Sequence, residues 1–183
     1  MKRVLVVSAV MVVTCVLAAC AENPVSPTPG QSPFITGQFA GTWSGSTRAV
    51  RVSGGECVGA DLRASVAGTD RGTVTLTQNA ADVSAVIRSA TTGLTCRYDG
   101  SASFNGFALS AVSCDADILF QCSTGQARIL KPIGSTLTAT QSGGTATGTI
   151  TTSYNIFGID PVTKEETPVA GMTVESDFTA IRR

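Results

Sequence analysis

Four cysteines dominate the reactive inventory of the body of this chain: Cys57, Cys96, Cys114 and Cys122. Their spacing lacks the paired C-x-x-C arms of a four-cysteine zinc site, so two disulfides are expected and no metal. The short Cys114–Cys122 interval favours that pair, with Cys57–Cys96 as the second bond. The rival pairs Cys96 with Cys114 across a hairpin turning at Asn105-Gly106. Histidine is absent from the sequence, which removes the commonest general base, metal ligand and pH switch. Asp115 and Asp117 alternate as calcium ligands do, but no glycine-centred loop with further acids follows. Glu165-Glu166 sits beside Lys164 as a solvated tip, whereas a glycosidase pair needs opposed carboxylates in a cleft. Arg97 and Asp99 share one face of a strand, where a buried ion pair would fit, and Tyr98 takes the other, with no function assigned to the three. No nucleophile–base pair is legible. The expectation is a protein that is not an enzyme and carries no cofactor.

The front of the chain is more specific. Met1-Lys2-Arg3 is basic, Val4 to Leu17 is an almost unbroken apolar run, and Leu17-Ala18-Ala19-Cys20 follows. Charge, length and flanks are those of a secretory signal peptide, and the run is short for a bilayer-spanning helix. The last four residues resemble the lipobox of bacterial lipoproteins. That resemblance implies removal of residues 1–19 and lipid attachment at Cys20, a palmitate-type anchor. Ala21, where an aspartate would signal inner-membrane retention, implies outer-membrane sorting in a two-membrane cell. Residues 20–36 carry four prolines among small polar residues, a composition that cannot build a core and reads as a tether. The implied partner on this side is the membrane, through the lipid on Cys20.

Charge narrows the remaining partners. The chain has 13 basic and 13 acidic side chains, and losing Lys2 and Arg3 leaves 11 against 13. With no basic tract, nucleic acid is not an expected partner. Roughly 145 residues follow the tether, which suits one domain, 37–183, with an adequate core.

That domain reads as β throughout. Thr73-Val74-Thr75-Leu76-Thr77 alternates, as do Val83, Ala85 and Ile87, then Leu137 and Ala139, then Ala146 to Tyr154. Met172, Val174, Ser176, Phe178 and Ala180 share one face of the last strand, with Thr173, Glu175, Asp177 and Thr179 on the other. Turns fall at Asn79-Ala80-Ala81-Asp82, Asn105-Gly106 and Ser142-Gly143-Gly144. Gly158 to Pro168 reads as a long exposed loop, and no stretch shows a helical period. The phenylalanines (Phe34, Phe39, Phe104, Phe107, Phe120, Phe157 and Phe178) read as core. About eight to ten antiparallel strands fit as a meander, which must hide its edges in a closed barrel or, alternatively, a two-sheet sandwich.

Phe39-Ala40-Gly41-Thr42-Trp43 resembles the Gly-x-Trp signature that opens lipocalins and related calycin barrels. In that family a basic residue from the end of the barrel packs over the tryptophan. Arg182 has the inward parity of Phe178 and Ala180, so the resemblance implies a Trp43–Arg182 closure. It also implies a barrel that takes a small apolar or amphipathic ligand, although no ligand-binding residues are legible. The alternative is a structural or protein-interaction lipoprotein of the cell envelope with a filled core and a protein partner.

Overall fold

The computed structural model describes residues 38–64 and 69–183. The signal segment, Cys20, the tether and Phe34 lie outside the described residues. Those described form nine strands and one helix: β1 (Gly41–Gly54), α1 (Glu56–Ala64), β2 (Thr69–Asn79), β3 (Asp82–Ser89), β4 (Thr95–Ala102), β5 (Gly106–Cys114), β6 (Ile118–Gln121), β7 (Ala127–Ser142), β8 (Thr145–Ile159) and β9 (Glu166–Arg182). The sheet order is β5-β4-β3-β2-β1-β9-β8-β7-β6, and β5 also bonds to β7. Eight antiparallel strands thus close into a barrel, with β6 as an extra strand on β7. The sandwich alternative is excluded by this closure.

The alternating segments supply the walls. Val74, Leu76, Val83, Ala85, Leu137, Ala139 and Ala146 all bury their side chains inside the barrel. The three expected hairpin turns join β2 to β3, β4 to β5 and β7 to β8. At the first, Ala80 takes the left-handed conformation (φ 54°).

Four expectations need correction. The disulfides are Cys57–Cys122 and Cys96–Cys114, not the favoured pairing. Cys96 and Cys114 are direct partners in the β4–β5 ladder. The Cys114–Cys122 interval is no free loop, because β6 occupies it and carries Cys122 towards α1. The helix itself was not visible as a period. It spans nine residues, too few to be stable alone, and it is held by tertiary contacts. The expected exposed loop from Gly158 to Pro168 is shorter than that span: Gly158 pairs with Thr167 and Ile159 with Glu166, which leaves residues 160–165 as the loop. The turn that remains is capped by Asp160, whose Oδ1 accepts from the backbone N–H groups of Val162 (2.8 Å) and Thr163 (2.7 Å). Finally, Phe104 is not core: it is 86% exposed at the tip of the β4–β5 hairpin.

One end of the barrel is sealed around Trp43, which is fully buried. Its indole N–H donates to the Phe39 carbonyl at 3.2 Å. Arg182 is its register partner on β9, with the guanidinium carbon 5.7 Å from the ring centroid, within cation–π range. The same guanidinium donates to the Ala40 carbonyl. Gly41 makes room for it: a Cβ there would stand 3.3 Å from Arg182 Nε, and its φ of +135° suits only glycine. Phe39 adds an edge-on contact to Phe107, with centroids 5.5 Å apart. Trp43→Ala should therefore destabilise the fold by about 3–5 kcal/mol. Urea unfolding followed by circular dichroism measures this; a shift below 1 kcal/mol, taking ~1 as the low end for a core deletion, would remove Trp43 as the keystone of this end.

Candidate functional site

The barrel wall is uneven. β1, β7, β8 and β9 run 14 to 17 residues, while β3, β4 and β5 run only 8 or 9. The long strands rise past the short ones and form a second apolar cluster of Val52, Val58, Leu130, Ile156 and Met172. The first cluster, around Phe39, Trp43, Leu137 and Phe178, fills the sealed end. Between the two lies a cavity of about 150 Å³.

Its walls are of two kinds. Val74, Ile87, Leu94, Ile150, Val174 and Phe178 are apolar; Thr47, Asp70, Tyr98, Thr152, Tyr154 and Ser176 are polar. Exposed Arg71 and Arg88 stand at the rim, where β2 begins and β3 ends. Strand alternation explains the layering. The polar residues occupy inward positions on their strands, with Thr152 and Tyr154 adjacent on the inner face of β8.

The polar groups are partly wired together. The Tyr98 hydroxyl donates to Ser135 Oγ at 3.0 Å, and Ser135 Oγ lies 2.8 Å from Thr152 Oγ1. Burial raises the Tyr98 phenol, against the opposing pull of its bond to Ser135. The Tyr154 phenol is pushed up to about 12, first by burial and then by the nearby Tyr98 and Asp70. Both phenols are therefore protonated at neutral pH, and the Tyr98 proton is already engaged by Ser135. Asp70 differs, because its Oδ1 is sealed from solvent and has no hydrogen-bond partner.

α1 covers the far cluster. Val58 is fully buried there. At Gly59 a Cβ would fall 2.0 Å from the Gly54 carbonyl oxygen, so only glycine lets the helix sit this close. Three ties hold the helix to the turn after β6 and the start of β7: the Cys57–Cys122 bond, a Glu56–Arg128 ion pair at 3.6 Å and Asp61. Asp61 accepts from the Ser123 backbone N–H at 2.6 Å and from its hydroxyl at 2.7 Å. Sequence reasoning missed this lid. The signals were Val58 and Leu62 four residues apart, with Glu56 in the first turn and Arg63 in the last.

The other singled-out residues sit elsewhere. Arg97 and Asp99 face solvent, so they form no buried pair, and Tyr98 faces the lumen. Asp115 accepts from the Thr95 backbone N–H at 2.8 Å. Asp117 and Glu166 both approach Lys131 Nζ, at 3.6 and 2.7 Å, and that ammonium also lies 4.8 Å from the Phe157 ring centroid. This junction ties together three segments distant in sequence, which no local spacing announces. Among the described residues, no group of three or more histidine, cysteine, aspartate or glutamate side chains gathers to hold a metal. No protein family, curated protein or solved structure matches this chain.

The Asp61 contact gives the lid a pH dependence. The Ser123 backbone N–H, helped by the Ser123 hydroxyl, holds the Asp61 carboxyl below its ordinary 3.8. A depressed folded pKa means that the contact acts fully above 3.8 and is lost as pH falls through the lower folded value. Amide protection across α1 should therefore fall on acidification below about pH 4. Asp61→Asn should lower that protection at neutral pH and flatten its pH dependence. Hydrogen exchange read by mass spectrometry checks both, and unchanged protection in the variant would take Asp61 out of the lid.

Proposed function

We propose that this chain is an envelope lipoprotein, anchored by lipid on Cys20, whose lipocalin-like barrel binds a small amphipathic ligand. The observation that carries the binding role is the unfilled space between the two apolar clusters. Small barrels are commonly filled by their own side chains, and this one leaves a cavity with apolar walls and inward donors. Its volume of about 150 Å³ equals that of an engineered cavity able to hold benzene, and lies below the ~300 Å³ at which drug-sized pockets begin. The ligand is therefore small: one ring or a short chain, rather than a long-chain lipid. The anchor rests on the Leu17-Ala18-Ala19-Cys20 sequence, and outer-membrane placement rests on Ala21.

The lipocalin-like relation rests on Gly41, Trp43 and Arg182. Trp43 and Arg182 belong to the sealed end and not to the ligand. The barrel needs no membrane-binding surface of its own, because two or three acyl chains anchor firmly.

Native mass spectrometry of the exported full chain, with and without prior organic extraction, tests the binding role. A small adduct lost on extraction is the expected result. A clean apo mass that persists after incubation with envelope extract would overturn it in favour of a structural, protein-interaction role. For the anchor, Cys20→Ser should leave a folded protein in the soluble fraction. Unchanged membrane fractionation of that variant would refute lipid attachment at this cysteine.

A further inference from the structure

Asp70 is the least satisfied group in the lumen. It occupies an inward position on β2, directly opposite Thr47 of β1, and it lines the cavity. Its Oδ1 is shut off from solvent without a hydrogen-bond partner. No salt bridge among the described residues includes it. A desolvated carboxylate oxygen with no donor carries a large penalty, and in folded proteins such groups are nearly always met by something.

The surrounding groups do not meet it. Tyr98 spends its proton on Ser135. The Tyr154 phenol lies within electrostatic reach of Asp70 but does not bond to its Oδ1. Arg71 and Arg88 belong to strand positions of outward parity and are exposed at the rim. Below that rim the lumen thus presents one carboxylate beside two phenol rings, and its wall there is otherwise apolar or hydroxyl-bearing, with the two arginines at its mouth. A cation is the complement to such a wall. Carboxylates bond strongly to ammonium donors, and aromatic faces attract the same charge.

The geometry points to a small organic ammonium as the ligand, with its charged nitrogen against Asp70 and its apolar part among Val74, Ile87, Leu94 and Ile150. This rests on the ligand-binding reading above and assigns it a chemical class. The carboxylate torsion of an aspartate is soft, so the orientation of its two oxygens adjusts to a donor bound in the lumen. The cavity volume of about 150 Å³ accommodates one six-membered ring with a short polar arm.

Three matched probes separate the alternatives: benzylammonium, neutral benzyl alcohol and anionic benzoate. They share a ring and differ in the charge of the arm. Titration calorimetry on the exported full chain carrying Cys20→Ser, which avoids competition from acyl chains, reads the affinities. Benzylammonium should bind at least about tenfold tighter than benzyl alcohol, as expected for a hydrogen bond to a charged group. Asp70→Asn should bring the two within about twofold, since the amide keeps the shape and loses the charge.

Equal binding of ammonium and alcohol to the unaltered chain would overturn the role of Asp70 and leave the ligand-binding reading standing. Tighter binding of benzoate would also overturn it, with the rim arginines as the recognition element. No binding of any probe would overturn the ammonium inference and, joined to a clean apo mass, the binding role itself. The probe comparison decides the point even if Asp70→Asn fails to fold.

Discussion

Five residue pairs between β5 and β7, from Gly106 opposite Thr140 to Ser110 opposite Thr136, turn a linear sheet into a barrel. Without that ladder, β5 would be a free edge, its backbone groups open to pairing with another chain. With it, the inward side chains of eight strands face one another and a lumen exists. Trp43 seals one end, the long strands and α1 cover the other, and the cavity between follows from both. The ladder is short because β7 serves two partners along one edge. Ala127–Leu130 pairs with β6, Thr136–Thr140 pairs with β5, and residues 131–135 between them take no ladder partner from either. Pro132, which has no N–H to offer, sits in that gap at a register shift before Gly134.

The two disulfides divide the work of holding this arrangement. Cys96–Cys114 joins neighbouring strands inside the barrel, where the ladder has already placed them. Cys57–Cys122 joins segments 65 positions apart and ties the lid to the extra strand. Closing so long a loop restricts the unfolded chain more, so the second bond contributes the larger entropic share in that model. It also compensates for a helix too short to persist without packing.

The polar layer is where the barrel departs from a plain hydrophobic core. Tyr98, Ser135 and Thr152 satisfy one another, which makes their burial tolerable. Asp70 has no such arrangement on its Oδ1 side. Charged groups left short of partners are expected where a structure serves something besides its own stability.

Much of the architecture was legible from strand periodicity alone. The alternation through Val74-Leu76, Val83-Ala85-Ile87 and Met172 to Ala180 assigned inner faces because side chains in a strand repeat every two residues. The three tight turns were legible from their glycines, asparagines and aspartates. Arg182 stood out as a charge at inward parity, and Tyr98 was placed opposite Arg97 and Asp99 by the same rule. The tertiary structure alone decided the rest, because those features depend on residues distant in sequence. Which cysteines pair depends on β6 occupying the Cys114–Cys122 interval and on α1 docking beside it. The helix owes its existence to Val58, Gly59 and Asp61 meeting partners on β1 and after β6, not to any local period. That the lumen is open depends on the mismatch between tall and short strands. Asp70 joins Tyr98 and Tyr154 only because β2, β4 and β8 curve around one space, a proximity no linear spacing encodes.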